Sequence, residues 1–196
     1  LARNARRISA PALIAFFALA AAGCFSLTQK APEKRYFLVE ARRGKVEAAA
    51  ANAQPLEIRR FRASPGFAEA NFIYRTGPQS WVADYYNEFF VPPAPMLTES
   101  TRRWLMDSGL FNPVFSEGAS LSAPLLLEAS ITSLYADVTD VKKPRAVLEL
   151  QVFVVDDSTP SPTAVFQAGY LREIPVDKAA PAEFAAGWNE ALKSVL

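Results

Sequence analysis

Three long apolar runs in the C-terminal half of the chain constrain its fold most. Residues 125–135, 146–155 and 165–174 are rich in Val, Ile, Leu and Phe, and each is long enough for a full strand. Turn-forming residues fill the gaps between them, at 140–144 and 156–162. Consecutive strands joined by turns predict an antiparallel meander. In the middle run, Leu148, Leu150, Val152 and Val154 recur at every second position and so share one inward face. An apolar sheet face needs a cover, and two segments have helical spacing. Within 96–108, Leu97, Thr101, Trp104, Leu105 and Ser108 fall on one side, with Gly109 at the expected left-handed cap. Within 181–195, Phe184, Trp188, Leu192 and Val195 form a second stripe. The expected fold is α+β: a single compact domain with a mixed, mostly antiparallel sheet packed by two main helices.

Shorter strands precede this region. They are expected at 36–39, 56–61, 72–75 with a hairpin partner at 81–85, and 111–115. Ser64-Pro65-Gly66 and Thr76-Gly77-Pro78 break the chain between them. Residues 42–53 are charged and alanine-rich, and read as a loop or a short, weak helix. Pro92-Pro93-Ala94-Pro95 reads as irregular backbone that sets up the helix after it.

The N-terminal segment has another character. Arg3, Arg6 and Arg7 precede an apolar stretch at 10–22 that ends in Ala21-Ala22-Gly23-Cys24. Basic residues, a short apolar core and small residues at a cut site describe a secretory signal. The stretch falls short of the roughly 20 apolar residues that span a bilayer, and Pro11 interrupts it. The last four residues resemble a lipobox, with Ala21 where leucine is commoner. Cys24 is therefore the candidate lipidation site, becoming the acylated N-terminus of the mature protein. Stable anchoring takes two signals, which two or three acyl chains supply. The organisation expected is a signal peptide at 1–23, a lipidated N-terminus and tether at 24–34, and a domain at 35–196. Phe25, rather than aspartate, follows the cysteine, which leans the reading toward the outer membrane. Leu1 stands where a methionine would start, so the reading places the start at an alternative codon or upstream.

Composition narrows the function. There is no histidine and a single cysteine, which removes Ser-His-Asp and Cys-His chemistry, Cys/His zinc sites and any intrachain disulfide. The net charge is +1; without Arg3, Arg6 and Arg7 the balance is 18 positive against 20 negative, or −2. No basic excess points to nucleic acid. No enzyme activity, cofactor or metal is expected.

The densest aromatic run is Tyr85-Tyr86-Asn87-Glu88-Phe89-Phe90. One reading is a strand buried on one face; the other is a partner surface, because alternation sends some rings outward. Tyr85, Tyr86 and Phe90 are the candidate partner-binding residues, some of which alternation would place in the core. Asp84 and Glu88 form a possible carboxylate pair with no activated partner. Asp137, Asp140, Asp156 and Asp157 lack the spacing of a calcium loop and read as turn residues. Arg102 and Arg103 read as a solvated helix face.

In order, several segments together resemble the ABC-type transport auxiliary lipoprotein family, which includes the paraquat-inducible protein C lipoproteins. They are Cys24, Tyr36-Phe37-Leu38-Val39, Phe72-Ile73-Tyr74-Arg75, Asp84-Tyr85-Tyr86-Asn87-Glu88-Phe89-Phe90, Pro92-Pro93, Leu105 through Gly109 to Phe111, Leu134-Tyr135-Ala136-Asp137 and the helix around Trp188. The resemblance implies a compact α+β domain without catalytic residues. It implies partners as well: an MCE-domain protein, and the ABC permease and ATPase of one system moving phospholipid or other hydrophobic molecules across the periplasm. The lipoprotein would dock the MCE protein at the outer membrane, and a homo-oligomer is compatible with this. The alternative is a structural lipoprotein of envelope assembly with no transport role.

Overall fold

One thirteen-residue strand, Leu125–Asp137, organises the computed structural model, which describes residues 32–196. In chain order the strands are β1 (Arg35–Phe37), β2 (Gln54–Ile58), β3 (Arg62–Ala63), β4 (Asn71–Arg75), β5 (Trp81–Phe89), β6 (Phe111–Ser116), β7 (Leu125–Asp137), β8 (Arg145–Asp156) and β9 (Thr163–Pro175). Helix α1 (Pro93–Ser108) lies between β5 and β6, and α2 (Pro181–Lys193) follows β9. Cys24 and the expected signal segment lie outside the described residues.

The predicted meander is present: β7, β8 and β9 pair antiparallel along their whole lengths. The opposite edge of β7 is shared by three short strands, all parallel to it. β2 pairs at Leu125, Leu126 and Leu127, β3 at Ser130 and Ile131, and β4 at Ala136 and Asp137. At one end β5 adds antiparallel to β4 and β1 adds parallel to β5; at the other, β6 adds parallel to β2. The sheet is therefore mixed. Its long ladders are antiparallel and its parallel pairings are short.

The strand expected at 56–61 ends early, at Ile58, and pairing with β7 resumes only at Arg62. Phe61 turns into the core, and its backbone N–H donates to Thr98 Oγ1 on α1 (2.9 Å) instead of to β7. The same logic explains Ser100, which is buried on α1 like Thr98. Ser100 Oγ accepts from the Ala41 N–H at 2.8 Å, so irregular backbone that enters the core keeps a partner.

Helix α1 begins at Pro93, inside the segment expected to be irregular. Proline is tolerated there because the first-turn N–H groups have no partner within the helix. Leu97, Thr101, Trp104 and Ser108 are buried as the spacing predicts, while Leu105 is only half-buried. Gly109 ends the helix at φ 69°, the left-handed cap. A Cβ there would lie 2.5 Å from the Ala48 carbonyl oxygen. Residues 42–53 form a loop laid over this helix end, with Glu47 N–H donating to Asp107 O and Ala50 N–H to Gly109 O.

Helix α2 buries Phe184, Trp188 and Leu192 completely; Val195 lies past its last turn and is half-buried. The Trp188 ring packs on Phe72, Phe89 and Phe184, with centroids 4.8, 5.2 and 6.2 Å away. Gly187 lets α2 approach β8 closely, since a Cβ there would come within 2.6 Å of Ala146 Cβ. Trp104 belongs to the same core but sits at its margin, under the Arg43 guanidinium, 5.3 Å from the ring centroid.

The aspartates act on turns and strand ends. Asp137 Oδ1 accepts from Thr139 N–H and Oγ1, Asp140 Oδ1 from Lys142 N–H, and Asp156 Oδ1 from Ser158 N–H. Arg145 also donates to the buried Asp137 carboxylate at 3.2 Å. Burial alone would raise the Asp137 pKa. The Thr139 hydrogen bonds and the Arg145 and Arg75 charges outweigh it and hold the group below the usual carboxylate value.

Candidate docking surface

The aromatic run does not follow strand alternation, because β5 is bulged. Asn71 of β4 faces Glu88 of β5, but Ile73, two residues on, faces Ala83. Two steps on β4 therefore oppose five on β5, and the extra length is held by Asp84. Its Oδ1 accepts from the backbone N–H of Tyr86 (2.8 Å) and of Asn87 (3.1 Å). Its Oδ2 accepts from Asn87 Nδ2 at 2.6 Å, and Asn71 Nδ2 donates to the Asp84 carbonyl at 2.9 Å. Partial burial pushes the Asp84 pKa upward, but these bonds and one from the Tyr74 hydroxyl bring it below its ordinary value. Burial, followed by the negative charge of Asp84, raises the Tyr74 phenol.

The bulge sets which rings face solvent. Tyr85 is 67%, Tyr86 40% and Phe90 66% exposed, whereas Asn87 and Phe89 are buried. The expectation that some of the three candidates would be core is thus overturned: all three are outside. A bulge adds residues out of register, so two consecutive rings can leave the same side of the sheet. Tyr85 and Tyr86 meet edge to face, centroids 5.1 Å apart.

Strand β1 extends the surface. Register places Tyr36 opposite Glu88 and Phe37 opposite Phe89. Phe37 turns inward onto Phe72, while Tyr36 and Leu38 stay exposed. Tyr36 meets Phe90 edge to face at 6.2 Å. Lys34 Nζ lies 4.6 Å over the Tyr85 ring and pairs with Glu88 at 2.5 Å. Asp84 and Glu88, the carboxylates of the possible acid/base pair, are thus occupied with the bulge and with Lys34. Phe90 and Leu38 also border an apolar recess of about 360 Å³ against α1, which includes Val91, Pro92, Pro95 and Met96. On its rim Glu99 is clasped by Arg102 and Arg103. The Arg102 hydrogen bond, reinforced by Arg103 against the effect of burial, lowers the Glu99 carboxyl to about 2.

Lys34, Tyr36 and Leu38 were not among the candidate site residues read from sequence. Residues 36–39 read only as a strand, and it becomes part of a surface only once β1 is known to lie beside β5. No described helix is long and apolar enough to cross a membrane, and no group of metal-ligating side chains occurs among the described residues.

No protein-family model and no curated protein matches the chain by sequence. Solved structures do match. A Xanthomonas campestris protein of the DUF330 family superposes with a TM-score of 0.70 at 19% identity, covering 82% of this chain and 90% of its own. An uncharacterized protein gives a TM-score of 0.55 at 13% identity, covering 83% and 96%. The DUF330 likeness shows a shared fold.

Proposed function

We propose that this chain is the auxiliary lipoprotein of an MCE/ABC-type system that moves phospholipid or related hydrophobic molecules. It is tethered through lipid on Cys24, faces the periplasm at the outer membrane, and docks the MCE-domain protein served by the same permease and ATPase. The ordered set of segments from Tyr36 to Trp188 supports the family reading, and sharing a fold with a DUF330 protein is consistent with it.

The observation that carries the docking role is the simultaneous exposure of Tyr85 and Tyr86 on a strand pinned by Asp84, and of Phe90 just past its end. Exposed aromatics with few rotatable bonds make efficient interface anchors. The bulge and the prolines that follow it hold them in place before contact, so little conformational entropy is lost on binding. The deciding experiment replaces each ring with alanine and measures folding and co-purification with an MCE-domain protein of the same organism. At least one variant should fold normally and lose the partner. Unchanged affinity in every folded variant would reject this surface.

A further inference from the structure

The apolar face of β8 continues beyond the cover of either helix. Leu148 and Leu150 are fully buried, but Val152 and Val154, next in the same series, are only half-buried. Register sets Tyr170 of β9 opposite Leu150 and Phe166 opposite Val154, so two rings join this floor. Leu105 of α1 and Val195 after α2 form the walls of a cleft of about 220 Å³ with a mainly apolar lining. None of Tyr85, Tyr86 and Phe90 lines it.

One further observation points to a ligand. Beside the cleft, the Arg172 guanidinium lies 5.5 Å from the centroid of the Tyr170 ring and donates through Nε to Ser194 Oγ at 3.0 Å. Among the described residues it forms no salt bridge with a carboxylate. A cation without a counter-charge next to an apolar cleft complements a molecule with an apolar tail and an anionic head. An apolar cavity of about 150 Å³ takes a benzene-sized guest, so this one has room for a single alkyl chain. It has none for a helix about 10–12 Å across.

We propose that this cleft binds one alkyl chain of an anionic amphiphile, with Arg172 drawing the charged head. The proposal does not depend on the docking role and stands on the cleft alone.

The test uses the full chain, labelled on Leu and Val methyl groups and observed by NMR without detergent. Three probes are added: laurate, lauryl alcohol of the same chain length, and phosphatidylglycerol vesicles. Laurate should shift the methyls of Leu105, Val152, Val154 and Val195 saturably. Arg172→Gln should weaken laurate on the order of tenfold, the loss expected for one charge-assisted hydrogen bond, and leave lauryl alcohol unchanged. Vesicles that shift the same methyls identify a phospholipid as the source of the chain; a response to laurate alone identifies a free fatty acid. Absence of saturable shifts at these four methyls with every probe overturns the site. Equal affinity for laurate and the alcohol overturns the role of Arg172.

Discussion

The indole N–H of Trp188 donates to the backbone carbonyl of Tyr135, 3.2 Å away. The ring that fills the centre of the aromatic core thus also ties α2 to β7, the strand on which the rest of the sheet is assembled. Trp188→Ala should cost about 3–5 kcal/mol, the usual loss for a buried aromatic. Trp188→Phe should retain most of the packing but cost about 1–3 kcal/mol for the carbonyl left unpaired. Trp104→Ala should be milder than Trp188→Ala because its ring lies at the core margin beneath Arg43. Chemical denaturation of the three variants measures this order; near-wild-type stability of both alanine variants contradicts the packing.

Gly187→Ala should destabilise by about 1–3 kcal/mol, the range for overpacking a tight contact. The added methyl meets Ala146 Cβ at 2.6 Å and Val176 Cγ1 at 3.2 Å. Adding Ala146→Gly should recover part of the loss, giving a coupling energy in a double-mutant cycle. Simple additivity would show that the helix moves away instead.

Asp84→Ala removes the three hydrogen bonds that its carboxylate accepts from Tyr86 and Asn87, and the one from the Tyr74 hydroxyl. The fold should survive with a loss of about 1–3 kcal/mol. Partner binding should fall although no aromatic residue has changed, because the Tyr85-Tyr86 pair loses its fixed placement. A variant that keeps wild-type binding would separate the bulge from the docking surface.

Glu99 gives a stability change with a defined sign. Its carboxyl lies at about 2 in the folded protein against an ordinary 4.5. A depressed pKa stabilises the fold above the ordinary value, and that contribution is lost as pH falls from 4.5 toward 2. The group is partly exposed, so solvent screens the effect and keeps it small. Glu99→Gln should flatten the acid limb of the stability curve in that window and leave a residue from Asp84 and Asp137, which are lowered too. An acid limb identical to wild type would mean that the Arg102 and Arg103 clasp has no effect on folding.

Cys24→Ser should abolish lipid attachment, because serine lacks the thiol that forms the thioether. The variant should either leave the membrane fraction or accumulate as a precursor. Finding it mature and membrane-bound after a high-salt wash would remove the anchor from the functional reading.

Local pattern was enough for the elements whose cause is local. The β7–β8–β9 meander, both helical stripes, the Gly109 cap and the aspartate turns follow from side-chain period and turn chemistry within a few residues. Choices between distant partners were not visible there. Residues 56–61 have the composition of one strand, yet it stops at Ile58, and Thr98, far along the chain, captures the Phe61 N–H. The Pro-rich segment looked irregular because the tolerance of a first helical turn for proline matters only once the helix is known to start there. The aromatic run allowed two readings, a strand buried on one face or a partner surface, and alternation predicted that some of the candidate rings would be buried. The Asp84 bulge, which depends on β4 lying alongside, turned Tyr85 and Tyr86 outward together, and Phe90 is exposed just past the strand end. The sequence determined which faces would be apolar; tertiary structure decided which were covered, because cover depends on how far a neighbouring element reaches. Val152 and Val154 belong to the same inward series as Leu148 and Leu150, and only the positions of the two helices leave them lining an open cleft.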